Sequence, residues 1–390
     1  MADNTGMDPE PGAPAAGAPE APGGFAPPPL YLERLNRLRT AVALGTPDRV
    51  PVVPNGPAWP ARALGVKMSE QATNPAVTAP TIIKAYMSLG EIDGIQSPAY
   101  HVSSLSIQWL SRVKVPGREL PEDEMWQVDE AELMTADDYD AILAEGFGPW
   151  VERYYAERLP GAKEAFDAFL TTVPGVLADC REKGIVPFTP ALATIPYEYF
   201  CGGRSMKEFL LDLFRRPDKV QAAMDAALPV LIDNMRGVIR GTGLIGLWIG
   251  GWRSASEFIA PRLWERFVLP YFKAMVEAAV DEGAVVVLHF DANWDRDLER
   301  LKEFPRGRCV LSLDGKTDIF KAKRILGDHM CIMGDVPPRM LSLGTPDEVR
   351  DYCRRLIREI GPSGFILSSG CDVPIDAKYE NVKAMVEAVQ

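Results

Sequence analysis

Three side chains in this sequence could together hold a metal ion. The chain has only three histidines, and His289 is the one that ends an apolar run, Ala284-Val-Val-Val-Leu-His-Phe-Asp. Side chains two apart on an extended strand project to the same side, so His289 and Asp291 can reach one cation. Cys371 lies in Ser368-Ser-Gly-Cys-Asp-Val-Pro, after another apolar run, with Gly370 permitting a tight turn. An imidazole, a carboxylate and a thiolate suit Zn²⁺, and three protein ligands leave a fourth position for a substrate. One carboxylate and one thiolate also cancel the two charges of the ion. The same residues have a plainer reading. His289 would be a hydrogen-bonded barrel histidine, Asp291 an N-cap for residues 293–304, and Cys371 an inert loop thiol.

The elements that must carry these groups are short apolar runs ending in Gly, Pro, Ser or Asn, separated by amphipathic stretches. They cover residues 50–53, 94–97, 185–189, 244–249, 284–290, 309–314, 331–335 and 364–369. Strands apolar on both faces and joined by helices make a parallel sheet, and eight such units predict a (β/α)8 TIM barrel. In that fold the loops after the strands build the active site. The strand ends are Asn55, Gln96 with Ser97, Thr189, Gly250 with Trp252, His289 with Asp291, Asp314, Asp335, and Ser368, Ser369 and Cys371. Asn55, Gln96 and Ser369 are candidate pocket residues, and Trp252 and Trp294 candidate apolar walls. Asp314 and Asp335 would orient ligands or move a proton, or else cap the helices that follow them.

Helix signals are clearest in the second half. Thr345, Pro346 and Glu348 form an N-cap, a first-turn proline and a capping-box partner, and Gly361-Pro362 stops the helix they open. Residues 378–389 predict a closing helix and residues 137–143 a short surface helix. Of the six cysteines, five sit in apolar surroundings and read as small buried hydrophobes; Cys371 stands apart.

Ala, Gly and Pro fill 20 of the first 29 positions, which predicts a disordered tail over 1–29 ahead of one folded domain over 30–390. Hydrophobic residues make up 47% of the chain and its formal net charge is −12. That balance argues against a nucleic-acid partner, and no apolar run is long enough to span a membrane. No secretion signal is evident at the N-terminus, so the expected compartment is cytoplasmic. A homodimer is compatible with the sequence.

The chain resembles the uroporphyrinogen decarboxylase-like superfamily, in particular its cobalamin-dependent methyltransferase branch. The resemblance is carried by Phe258-Ile-Ala-Pro-Arg-Leu-Trp-Glu-Arg-Phe-Val-Leu-Pro-Tyr, Leu288-His-Phe-Asp, Met333-Gly-Asp-Val-Pro, Gly344-Thr-Pro-Asp-Glu-Val, Gly364-Phe-Ile-Leu-Ser-Ser-Gly-Cys and Glu380-Asn-Val-Lys-Ala-Met, in that order. It implies a TIM barrel and a catalytic zinc held by a His-x-Cys pair after strand 5 and a Cys after strand 8. Carried over, these are His289 and Cys371, with Asp291 where the pattern has Cys. A carboxylate in place of a thiolate makes a harder Lewis acid, which favours an oxygen substrate such as a methyl ether or phenolate. The implied reaction moves a methyl group between a small molecule and a corrinoid. No Asp-x-His-x-x-Gly signature is present, so the cobalamin would arrive on a partner corrinoid protein. A decarboxylase of the same superfamily would carry an Arg-rich segment after strand 1, where this chain has only Arg62. A third reading is a non-catalytic barrel that binds a ligand or a corrinoid protein.

Overall fold

The computed structural model describes residues 26–390, so the expectation of a disordered tail falls almost wholly outside the described residues. The first helix, Pro29–Val42, opens where the Ala/Gly/Pro-rich composition ends. Ten strands follow among the described residues: β1 (Gly94–Ile95), β2 (Arg112–Lys114), β3 (Gln127–Asp129), β4 (Val186–Pro187), β5 (Ala191–Ala193), β6 (Gly246–Gly251), β7 (Val285–Phe290), β8 (Cys309–Leu313), β9 (Cys331–Val336) and β10 (Phe365–Ser369).

Strands β5 to β10 pair in chain order, every pair parallel. The ring closes through shorter pieces. Val53 N donates to Leu367 O at 3.0 Å and Leu367 N to Pro51 O at 2.9 Å, joining residues 50–53 to β10. On their other side Asp93 N donates to Val52 O at 2.9 Å and Gln96 N to Pro54 O at 3.1 Å. β1 pairs in parallel with β4, and Phe188 N reaches Ile95 O at 2.9 Å. The third barrel segment thus carries β4 and then β5, with Pro190, which has no N–H to donate, between them. Eight parallel segments close a TIM barrel, as the run count predicts. Two runs are misplaced: the third stops short of β5, and the fourth starts early, its strand beginning two residues later, at Gly246, and continuing to Gly251.

Long-range ion pairs brace the closing seam. Asp93, fully buried, accepts from Arg37 Nη1 at 2.5 Å, Arg49 Nη1 at 2.8 Å and Val52 N at 2.8 Å. Between β1 and β4 the chain adds the antiparallel pair β2–β3 and a set of helices that includes Asp137–Glu145, extending the surface helix read from the sequence. The helix Pro346–Glu359 has the expected capping box, with Thr345 and Glu348 satisfying each other's backbone N–H. The closing helix spans Tyr379–Glu387. Residues 293–304 hold only a 3-10 helix, Leu298–Glu303, preceded by Asp297. Asp291 is therefore not its cap, and that plainer reading does not hold. Five cysteines are buried and Cys371 is half-buried. No helix among the described residues is long and apolar enough to cross a membrane.

Candidate metal centre

β7 and β10 are not neighbours in the ring, yet the loops that leave them meet over its mouth. His289 Nε2 lies 3.4 Å from Asp291 Oδ1, and Cys371 Sγ donates to the same oxygen at 3.8 Å. All three donor atoms lie within 4.8 Å of one another. Four donors at ordinary zinc bond lengths of about 2.0–2.3 Å stand about 3.3–3.8 Å apart at the corners of a tetrahedron. The two separations from Asp291 match those edges and the third lies within 4.8 Å, so the types and spacing of these donors suit a zinc ion. His289 Nδ1 faces Ser312 Oγ at 3.2 Å, which leaves Nε2 free to bind.

The electrostatics are those of a cation site. Burial by itself depresses an imidazole pKa, but hydrogen bonds to Asp291 and Cys371 override it and hold His289 well above its usual value. Burial raises the Asp291 carboxyl, and His289 outweighs that and lowers it. Burial pushes the Cys371 thiol up. The shifts of His289 and Asp291 both favour a charged pair of the two.

The neighbouring strand ends hold the ligand loops in place. Gly370 lets the loop after β10 press on the loop after β8: a Cβ there would lie 3.0 Å from the Asp314 carbonyl. Ser369 Oγ donates to Cys371 O at 2.6 Å, Asn55 Nδ2 to Asp372 Oδ1 at 2.8 Å, and Gln96 Nε2 to Ser368 Oγ at 3.2 Å. The side chains of Asn55 and Ser369 therefore bond to the loop carrying Cys371, and that of Gln96 to the strand that leads into it. Asp314 accepts from Ala292 N and Lys316 N, both at 2.8 Å, and so ties the loop after β7 to that after β8. Asp335 accepts from Tyr352 OH at 2.7 Å, and burial pushes its carboxyl up to about 7. Neither acid caps the next helix; Asp318 and Pro337 occupy those positions.

Beside the cluster opens a cleft of about 880 Å³, whose walls include Trp252, Arg253, Phe258, Asp291 and Lys316. Trp252 stacks on Trp109 at 4.2 Å between ring centroids and lines this cleft as expected. Trp294 does not. It is fully buried, edge to face with Trp264, and its Nε1 donates to Asp291 O at 3.0 Å. It packs under the loop that a wall residue would have to rise above.

Residue types alone missed Glu198. It sits in Pro196-Tyr-Glu-Tyr-Phe, fully buried, and accepts from Arg253 N at 2.9 Å, Ser254 N at 2.6 Å and Trp109 Nε1 at 2.9 Å. Burial raises its pKa even so. The signal available was an acid in an otherwise aromatic run. Gly251 complements it, since a Cβ there would overlap the carboxylate.

The profile of the uroporphyrinogen decarboxylase (URO-D) family matches residues 171–390, more than half of the chain. A uroporphyrinogen decarboxylase of Coxiella burnetii is 25% identical over 244 residues, 60% of this chain and 65% of that protein. The match thus spans just under two thirds of this relative's length. A second, from Chlorobium phaeobacteroides, is 30% identical over 135 residues, 33% of this chain and 37% of its own. In three dimensions the chain resembles a methyltransferase from Methanosarcina mazei, with a TM-score of 0.69 and 19% identity over 91% of this chain and 97% of that one.

Proposed function

The chain belongs to the uroporphyrinogen decarboxylase family, and within it we propose that this barrel is a zinc-dependent methyltransferase moving a methyl group between a small O-methyl substrate and a corrinoid carried by a partner protein. The observation that carries this reading is the convergence of His289, Asp291 and Cys371 at zinc-ligand spacing. A metal bound there would act as a Lewis acid on the substrate oxygen. The rest is the work of the chain. Ser312 fixes the imidazole, and the bonds from Asn55, Gln96 and Ser369 hold the Cys371 loop and the strand that leads into it. Asp335, whose carboxyl burial pushes up to about 7, is the strand-end acid that this reading assigns to proton transfer. Trp252 supplies apolar surface beside the reacting centre. The scaffold of the methanogen methyltransferase supports the same reading.

A second reading, a carboxy-lyase, is favoured by the activity of the sequence relatives. Against it stands the loop after the first barrel segment, whose one arginine, Arg62, is on the exposed face of the helix Trp59–Leu64. Metal content separates the two. Elemental mass spectrometry should find about one zinc per chain in the parent protein and none in His289→Ala or Cys371→Ala variants that stay folded. A parent that takes up no zinc when the ion is supplied overturns the methyltransferase reading.

A further inference from the structure

The loop after β6 contains an arrangement that the metal centre does not explain. Arg253 Nη1 and Ser256 Oγ, three residues apart, are buried and have no hydrogen-bond partner among the described residues. A buried polar atom without a partner is rare in a folded protein and commonly marks the place of an absent ligand or water. The Arg253 side chain is only 7% exposed, and its other terminal nitrogen, Nη2, is held by Glu130 Oε2 at 2.6 Å. The backbone beneath it is fixed by Glu198, which accepts from the N–H groups of both Arg253 and Ser254. The guanidinium is therefore anchored on one side with a donor left over on the other. Arg253 lines the cleft that also exposes Asp291; Lys207 and Lys316 add positive charge to its wall, and Glu130 and Glu257 add negative charge.

We propose that Arg253 is a specificity-determining residue that binds a carboxylate on the small-molecule substrate, so that the cleft selects anionic over neutral O-methyl compounds. This rests on the proposed methyl-transfer reading for the identity of the substrate, but not for the presence of the anion site. A guanidinium N–H donates most strongly to a charged acceptor, and its planar edge suits a carboxylate. The neutral isostere would leave the buried donor poorly satisfied.

The test is calorimetric titration of the zinc-supplied full-length protein with 4-methoxybenzoate and with its uncharged isostere 4-methoxybenzamide. The parent should bind the carboxylate at least about tenfold more tightly. That preference should fall below about twofold in Arg253→Gln and be partly kept in Arg253→Lys, with zinc content unchanged in both. Equal binding of the two compounds by the parent, no detectable binding of the carboxylate, or a preference that survives in a folded Arg253→Gln overturns the proposal. The metal reading is scored separately. A parent without zinc that still prefers the carboxylate sinks the metal centre and keeps the anion site, whereas a zinc-bound parent without preference does the reverse.

Discussion

Two carboxylates at the mouth of the barrel live under opposite conditions. Glu198, from the N-terminal half of the ring, is fully buried, and its two oxygens accept two backbone N–H groups and an indole N–H. Asp291, from the C-terminal half, is half-buried and meets only a histidine and a thiol. The first has spent its hydrogen-bonding capacity on the protein. The second keeps capacity for something else. Burial alone therefore does not mark an acid as chemical; its unused capacity beside other ligating atoms does.

The contrast is easiest to break with paired variants. Glu198→Ala strands three buried donors and should cost about 3 kcal/mol in chemical denaturation. Asp291→Asn should cost less stability than that and lower zinc affinity by at least about a hundredfold in a chelator competition. The comparison collapses if both variants lose stability equally or neither changes zinc binding.

Asp335 is an intermediate case, buried with its carboxylate accepting from Tyr352. Its folded pKa of about 7 lies above the unfolded value of 3.8. Below about pH 4 the proton is bound in both states and nothing is lost. Between about pH 4 and 7 the unfolded chain releases it first, so folding stability falls as pH rises and stays reduced above 7. Asp335→Asn should thus nearly match the parent at pH 4 and exceed it by about 4 kcal/mol at pH 8. Thermal melts across that range would show it, and equal pH profiles for the two proteins would refute it.

The smallest effect concerns Ser312, which touches the metal centre only through the far nitrogen of His289. Ser312→Ala should weaken zinc binding about tenfold without altering the fold. An unchanged affinity would mean that the imidazole is oriented by packing alone.

The barrel was legible because its strands are apolar on both faces and so stand out from amphipathic helices as short unbroken runs. The donor set was legible for a related reason: a His, an Asp and a Cys at the ends of such runs interrupt an otherwise apolar pattern. Glu198 was not, because its partners are backbone groups far along the chain that no side-chain identity announces. Arg253 was hidden in the same way, since its importance lies in a nitrogen left without an acceptor. Trp294 shows the opposite error. Its type suits a pocket wall, but its indole is used to hold up the Asp291 carbonyl. The fourth run was placed two residues early, because Leu244 and Ile245 continue its apolar pattern upstream of where pairing begins at Gly246.

The loop carrying Cys371 is stitched to the other end of the chain, through Asn55 to Asp372 and Ser368 Oγ to Val53 O. His289 and Asp291 emerge during synthesis at least 80 residues before the thiol of Cys371. A growing or truncated chain therefore presents a histidine and a carboxylate but no third donor, and no anchored loop to hold one. An ion held by all three residues would therefore be captured only once the Cys371 loop has joined the first barrel segment.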